Sequence, residues 1–183
     1  DTVDFGPVIE WKLTLLRRAY RNYRKKPSLC KKEFETFCSE NAEWLDDYSL
    51  FRAIKDAQGG TLWTTWPAEF RLRDPKAIAE FKDTNASAIE EQKFYQFLFF
   101  RQWKNVKDYA NKKGITIVGD IPIFVALDSA DVWSMPELFY LDDQCQPTVV
   151  AGVPPDYFSA TGQLWGNPQY DWAAMKKTGY AWW

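Results

Sequence analysis

Apolar residues recur at three- and four-residue intervals up to Gly114 and change period after it. Val8, Trp11, Leu15, Leu16, Ala19, Tyr20 and Tyr23 trace one helical face, which predicts a helix opening after Gly6-Pro7 and closing near Pro27. Ser28 is placed to cap a second helix whose inward face carries Cys30, Phe34, Phe37 and Cys38. Trp44, Leu45, Tyr48, Phe51 and Ile54 mark a third, stopped by Gly59-Gly60. Asp74-Pro75 pairs a capping carboxylate with proline at the first helical position, a start signal for another. A long helix follows from about Ser87 to Lys113, and Gly114 ends it.

Beyond Gly114 the pattern is that of strands. Ile115 to Val118 is a β-branched run with glycine on both sides, which predicts a buried parallel strand. Pro122 keeps Ile121 to Val125 extended. Leu138–Leu141 and Thr148–Val150 flank the polar stretch 142–147 and predict a β-hairpin, with Asp142 and Asp143 solvated in its turn. Residues 152–167 show no period, and Trp172 to Met175 read as helix again. Helix feeding strand through one glycine places the chain in the α/β class. The expected organisation is a largely helical part over residues 1–113 and a strand, hairpin and loop part over 114–183.

Composition narrows the chemistry. The 183 residues carry 23 Lys plus Arg against 25 Asp plus Glu, a net charge of −2, so the whole has no pull toward nucleic acid or anionic membrane. The densest basic run, Arg17 to Lys32, is expected to be a solvated helix face. No apolar run has the length of a membrane span, and the N-terminus lacks the layout of a signal peptide. Cys30 and Cys38 stand eight apart on a helix, about 12 Å along its axis, too far for a disulfide. A reducing, cytoplasmic setting is the expectation.

Histidine is absent, which removes Ser-His-Asp and Cys-His nucleophile arrangements and imidazole metal sites. Acid–base chemistry would rest on carboxylates, Lys or Tyr. Aromatic residues are abundant, with 13 Phe, 10 Trp and 9 Tyr, suited either to a core or to stacking against sugar rings or bases.

Three segments carry candidate chemistry. Asp120 ends the predicted strand, the place where α/β folds bind ligands, although a turn-capping aspartate fits as well. Asp128 and Asp131 are placed to cap the turn that follows them. The loop from Gly152 to Pro168 joins stiffening prolines to hydrogen-bonding Asp156, Gln163 and Asn167. It also carries the flat faces of Tyr157, Phe158 and Trp165. Those ingredients fit a sugar chain, or a loop packed on its own aromatics.

Taken together, 119–126 (Gly-Asp-Ile-Pro-Ile-Phe-Val-Ala), 128–133 (Asp-Ser-Ala-Asp-Val-Trp), Pro136 to Phe139 and the run from Pro147 to Trp172 resemble the amylomaltases. These are the 4-alpha-glucanotransferases of glycoside hydrolase family 77. Trp44 to Tyr48 and Leu98 to Trp103 extend the likeness over the helices, so it covers essentially the whole chain. Leu127 stands where the family carries a polar residue, and Cys145 where it carries a hairpin-turn glycine.

The resemblance implies a (β/α)8 barrel with inserted subdomains, here a partial TIM barrel with a largely helical insertion. It implies transfer of α-1,4-glucan segments between maltooligosaccharides by a retaining double displacement, which uses two carboxylates and no cofactor. Asp120 matches an aspartate that shapes the donor site, and Asp156 a loop aspartate near the cleavage point. Tyr157, Phe158, Gln163 and Trp165 match residues of the loop covering the active site. The family's nucleophile, in an Arg-Ile-Asp-His segment, and its acid/base glutamate are expected downstream of Trp183. No catalytic residue is therefore expected in this chain, which reads as a central fragment. The rival expectation is a non-catalytic glucan-binding module or a decayed remnant of such an enzyme.

Overall fold

The fold is described by a computed structural model covering residues 2–27 and 30–183. Ser28, the expected cap, lies outside the described residues. The helices are α1 (Phe5–Lys25), α2 (Lys31–Glu40), α3 (Ala42–Ala57), α4 (Ala68–Arg71), α5 (Pro75–Thr84), α6 (Ala86–Lys112), α7 (Ala130–Ser134) and α8 (Trp172–Lys177). Strands β1 (Val150–Val153) and β2 (Gln163–Pro168) form an antiparallel pair. The chain divides into two compact units, residues 1–53 with 82–118 and residues 54–81 with 119–183.

The first unit is built on α6. Tyr20 of α1, Phe34 of α2 and Phe94 and Phe97 of α6 make its buried aromatic cluster, with Tyr23, Phe37, Cys38 and Leu98 around it. The Tyr20 hydroxyl donates to Glu90 Oε2 at 2.6 Å and to the Ser87 carbonyl at 3.0 Å, and Arg24 reaches the same Glu90 oxygen at 2.7 Å. Burial, together with the Glu90 carboxylate, pushes the Tyr20 phenol up to about 12. The helical periodicity of α1 is realised, but only its C-terminal part packs: Val8, Trp11 and Leu15 are exposed. The basic run is solvent-facing, as expected of a helix face.

Helix ends follow the sequence signals. Gly60 N–H bonds to the Lys55 carbonyl beyond α3, and Ile115 N–H to the Ala110 carbonyl beyond α6. In each case a glycine at positive φ (Gly59 at 68°, Gly114 at 75°) closes the turn. The Asp74 carboxylate accepts from the Lys76 and Ala77 amides, capping α5 behind Pro75. Cys30, Cys38 and Cys145 are free thiols.

Residues 115–118 correct the strand expectation. They are irregular, and Val118 is 87% exposed. A β-branched run becomes a strand only when a neighbour takes its ladder hydrogen bonds. Among the described residues the sheet has two strands, and this segment is neither of them. The described residues are thus mostly helical.

The hairpin and the loop after it also differ. Leu138 ends a 3-10 turn over Pro136–Leu138, and the expected hairpin contracts to a single bridge between Leu141 and Pro147. Pro147 has no N–H with which to continue a ladder. The Asp142 carboxylate does hold the turn, accepting from the Gln144 and Gln146 amides at 2.9 Å. Val150 pairs instead with Pro168, so the segment read as aperiodic is strand, loop and strand. Neither Asp128 nor Asp131 caps α7; Ser129 does, accepting from the Val132 amide at 3.3 Å.

Cys145 sits at φ 60°, the left-handed conformation that favours glycine. A side chain there costs about 1–2 kcal/mol, partly offset by the greater freedom of glycine when unfolded. Cys145→Gly is expected to stabilise the protein by about 0.5–1 kcal/mol, read as an upward shift of the denaturant midpoint. An unchanged or lowered midpoint would count against strain at this turn.

Candidate functional site: an exposed aromatic ribbon

The second unit presents the site on the β1–β2 ribbon. Val153 pairs with Gln163 and Gly152 with Leu164, and residues 154–162 form the connecting loop. Both glycines are required by crowding. A Cβ on Gly152 would lie 2.8 Å from the Gln163 carbonyl oxygen, and one on Gly162 would lie 2.6 Å from that of Val153. Gly162 also has φ 75°, so the turn is tight in two independent ways.

Asp156 organises the loop tip. Its Oδ1 accepts from the Phe158 amide at 2.9 Å and the Ser159 amide at 2.8 Å, while its own N–H donates to the Ser159 carbonyl. Among the described residues this leaves Oδ2 open to a ligand hydroxyl. Tyr157 and Phe158 meet edge to face at 5.3 Å yet are 95% and 86% exposed, so the loop is not packed on its own aromatics. Gln163 Oε1 accepts from the Trp165 indole N–H at 3.0 Å, which turns the half-exposed Trp165 ring.

The ribbon is braced from the 119–128 segment. Asn167, expected to face a ligand, instead donates its side-chain N–H to the Val125 carbonyl at 2.9 Å. Phe124 lies edge-on to Trp165 and parallel to Tyr170, both at 6.1 Å. Tyr170 is buried among Phe139, Trp172, Trp182 and Trp183. Burial, and then the nearby Asp131 carboxylate, push its phenol up. Asp120 is exposed on the same segment, its Oδ1 accepting from the Ile121 amide at 2.8 Å. Four of the six candidate side chains thus form two pairs, Tyr157 with Phe158 and Gln163 with Trp165. Asp156 folds the loop that bears the first pair, and Asp120 lies on the bracing segment.

Two contributors escaped sequence reasoning. Phe124 looked like one apolar residue in an extended run, and the bracing use of Asn167 had no local signal. The strands themselves had one, since Val149, Val150 and Val153 are β-branched and Gly162 stands nine residues beyond Val153.

What the arrangement offers is a shallow surface of flat rings edged by carboxylate and amide groups. Such a surface suits a ligand with apolar faces and hydroxyl rims. The profile of glycoside hydrolase family 77, described as 4-alpha-glucanotransferase, matches residues 1–183. The chain is 49% identical over 182 residues to the 4-alpha-glucanotransferase of Thermus thermophilus, covering 99% of this chain and 36% of that protein. It is 48% identical to that of Synechocystis, with the same two shares. Among solved structures, an amylomaltase from Streptococcus agalactiae in complex with acarbose superposes with a TM-score of 0.89 at 39% identity, over 99% of this chain and 36% of that one. The chain belongs to the 4-alpha-glucanotransferase family. It spans about 36% of the length of these relatives.

Proposed function

We propose that the protein transfers α-1,4-glucan segments between maltooligosaccharides by a retaining double displacement, and that these residues hold the sugar chain. In this reading 114–183 belong to a (β/α)8 barrel and its substrate loop, and 1–113 to a mostly helical insertion together with a barrel helix. The nucleophile and the acid/base are supplied by sequence other than these 183 residues, in keeping with relatives nearly three times as long. Tyr157, Phe158 and Trp165 lie against the apolar faces of glucose rings. Asp120, Asp156 and Gln163 bond their hydroxyls. The three free thiols support a cytoplasmic setting.

One observation carries the proposal: large aromatic side chains stand in solvent on a braced ribbon, in a member of this family. Exposed rings held in place by backbone turns and hydrogen bonds are suited to stacking against a flat ligand. Trp165→Ala is expected to weaken maltoheptaose binding about ten-fold, the loss of one stacked ring, measured by titration calorimetry. The unfolding midpoint should change little, because the ring is half exposed. Unchanged affinity would sink the sugar-platform reading. Binding with no transfer activity in the protein that carries this chain would leave a glucan-binding module.

A further inference from the structure

The 119–128 segment that braces Trp165 has no regular secondary structure of its own, so its place depends on what holds it. Its far end is gripped by the last turn of α3 and the stretch that follows. Lys55 Nζ lies 2.5 Å from Asp128 Oδ2 and also donates to the Thr61 carbonyl at 3.1 Å. The Trp63 amide donates to Asp128 Oδ1 at 3.4 Å, and the Trp63 indole N–H to the Leu127 carbonyl at 2.6 Å. Trp63 is fully buried, while the Lys55 and Asp128 side chains are 13% and 28% exposed, so the ion pair is partly shielded from water. The near end is the Asn167 bond to Val125 already described.

We propose that Lys55 and Trp63 are positioning residues for sugar binding. They fix residues 127–128, and through the short stretch back to Phe124 they set the edge against which the Trp165 ring rests. The inference rests on the sugar-platform reading for its consequence, but not for its geometry. A partly exposed pair of this kind contributes little net stability, since solvent screening and desolvation both offset its attraction. Its use is to give an irregular segment one place. The family resemblance marks none of Lys55, Trp63 and Asp128 as a ligand contact.

The test compares Lys55→Met, Lys55→Arg, Asp128→Asn and the Lys55→Met/Asp128→Asn double variant in the protein that carries this chain. Two quantities are read. One is the Trp165 indole N–H resonance without sugar, assigned by its loss in Trp165→Ala; the other is maltoheptaose affinity. Lys55→Met should shift the resonance and weaken affinity about three- to ten-fold. Asp128→Asn should do the same, and the double variant should be no worse than either single one. Lys55→Arg should restore most of the affinity. Ile78→Val, a mild trimming of the same unit's core, should move neither readout, which separates positioning from general destabilisation.

An unmoved Trp165 resonance in Lys55→Met and Asp128→Asn overturns the proposal. So does an Ile78→Val effect as large as theirs. Should Lys55→Met fail to fold, the same criterion applies to Asp128→Asn. If Trp165→Ala leaves maltoheptaose affinity unchanged, the sugar platform fails, and the resonance alone then decides whether the clamp exists.

Discussion

Gly162→Ala should open the loop end of the β1–β2 ribbon and abolish most sugar binding while leaving the rest of the fold intact. The added methyl would sit 2.6 Å from the Val153 oxygen and 3.1 Å from backbone atoms of Pro154 and Pro155. None of these is the end of a flexible side chain, so the backbone itself must move. To that is added the cost of a side chain at φ 75°, and the two together come to about 2–4 kcal/mol. A two-stranded ribbon holds only a few kilocalories against local opening, so the strain is released there and not in the helical cores.

Gly166→Ala is the control, because Gly166 has nearly the same φ, 77°, with nothing within 4 Å of where a Cβ would stand. It should cost only about 1 kcal/mol. Hydrogen exchange reads the difference directly at the Asp156 and Gly162 amides, both of which bond to the Ser159 carbonyl. Exchange there should accelerate in Gly162→Ala and barely change in Gly166→Ala. Maltoheptaose affinity should fall more than about ten-fold in the first, since Asp156, Tyr157 and Phe158 lose their arrangement together. Equal exchange in the two variants would show that the close approach at Gly162 is not what shapes the loop.

The contrast between those glycines shows which parts of this molecule were legible from sequence. Helices announce themselves locally. The Asp74-Pro75 start, the Gly59-Gly60 stop and the Gly114 stop each act within one turn, and each is found where the residues place it. Strands depend on partners far along the chain. Ile115 to Val118 has strand chemistry and no strand partner among the described residues, whereas Val150 to Val153 finds one ten residues on. The site divides the same way. Tyr157, Phe158 and Trp165 could be named as candidates from their surroundings of Gly, Pro and Asp, but that they stand in solvent is shown by the fold alone. That Asn167 holds Val125, or that Lys55 meets Asp128 across 73 positions, is a property of the folded chain alone.

Phe94→Ala should be among the most damaging substitutions in the helical unit, costing about 3–5 kcal/mol. Phe94 is fully buried at the middle of four other rings. It lies parallel to Tyr23 at 4.8 Å and against Tyr20, Phe34 and Phe97 at 5.7, 5.6 and 5.9 Å. Truncation removes the ring's transfer energy and leaves a void that α1, α2 and α6 would each have to shift to fill. Phe99→Ala on the same helix should change stability by only about 0.5 kcal/mol, because its ring is already mostly in solvent. Tyr20→Phe falls between them. It keeps the packing but loses the hydroxyl's bonds to Glu90 and Ser87, about 1–2 kcal/mol, and leaves Glu90 with Arg24 as its partner. Denaturant unfolding of the three variants checks the order. A Phe94→Ala loss below about 1 kcal/mol, smaller than that of Tyr20→Phe, would mean that the Tyr20–Glu90 network, and not the aromatic cluster, holds α1 to α6.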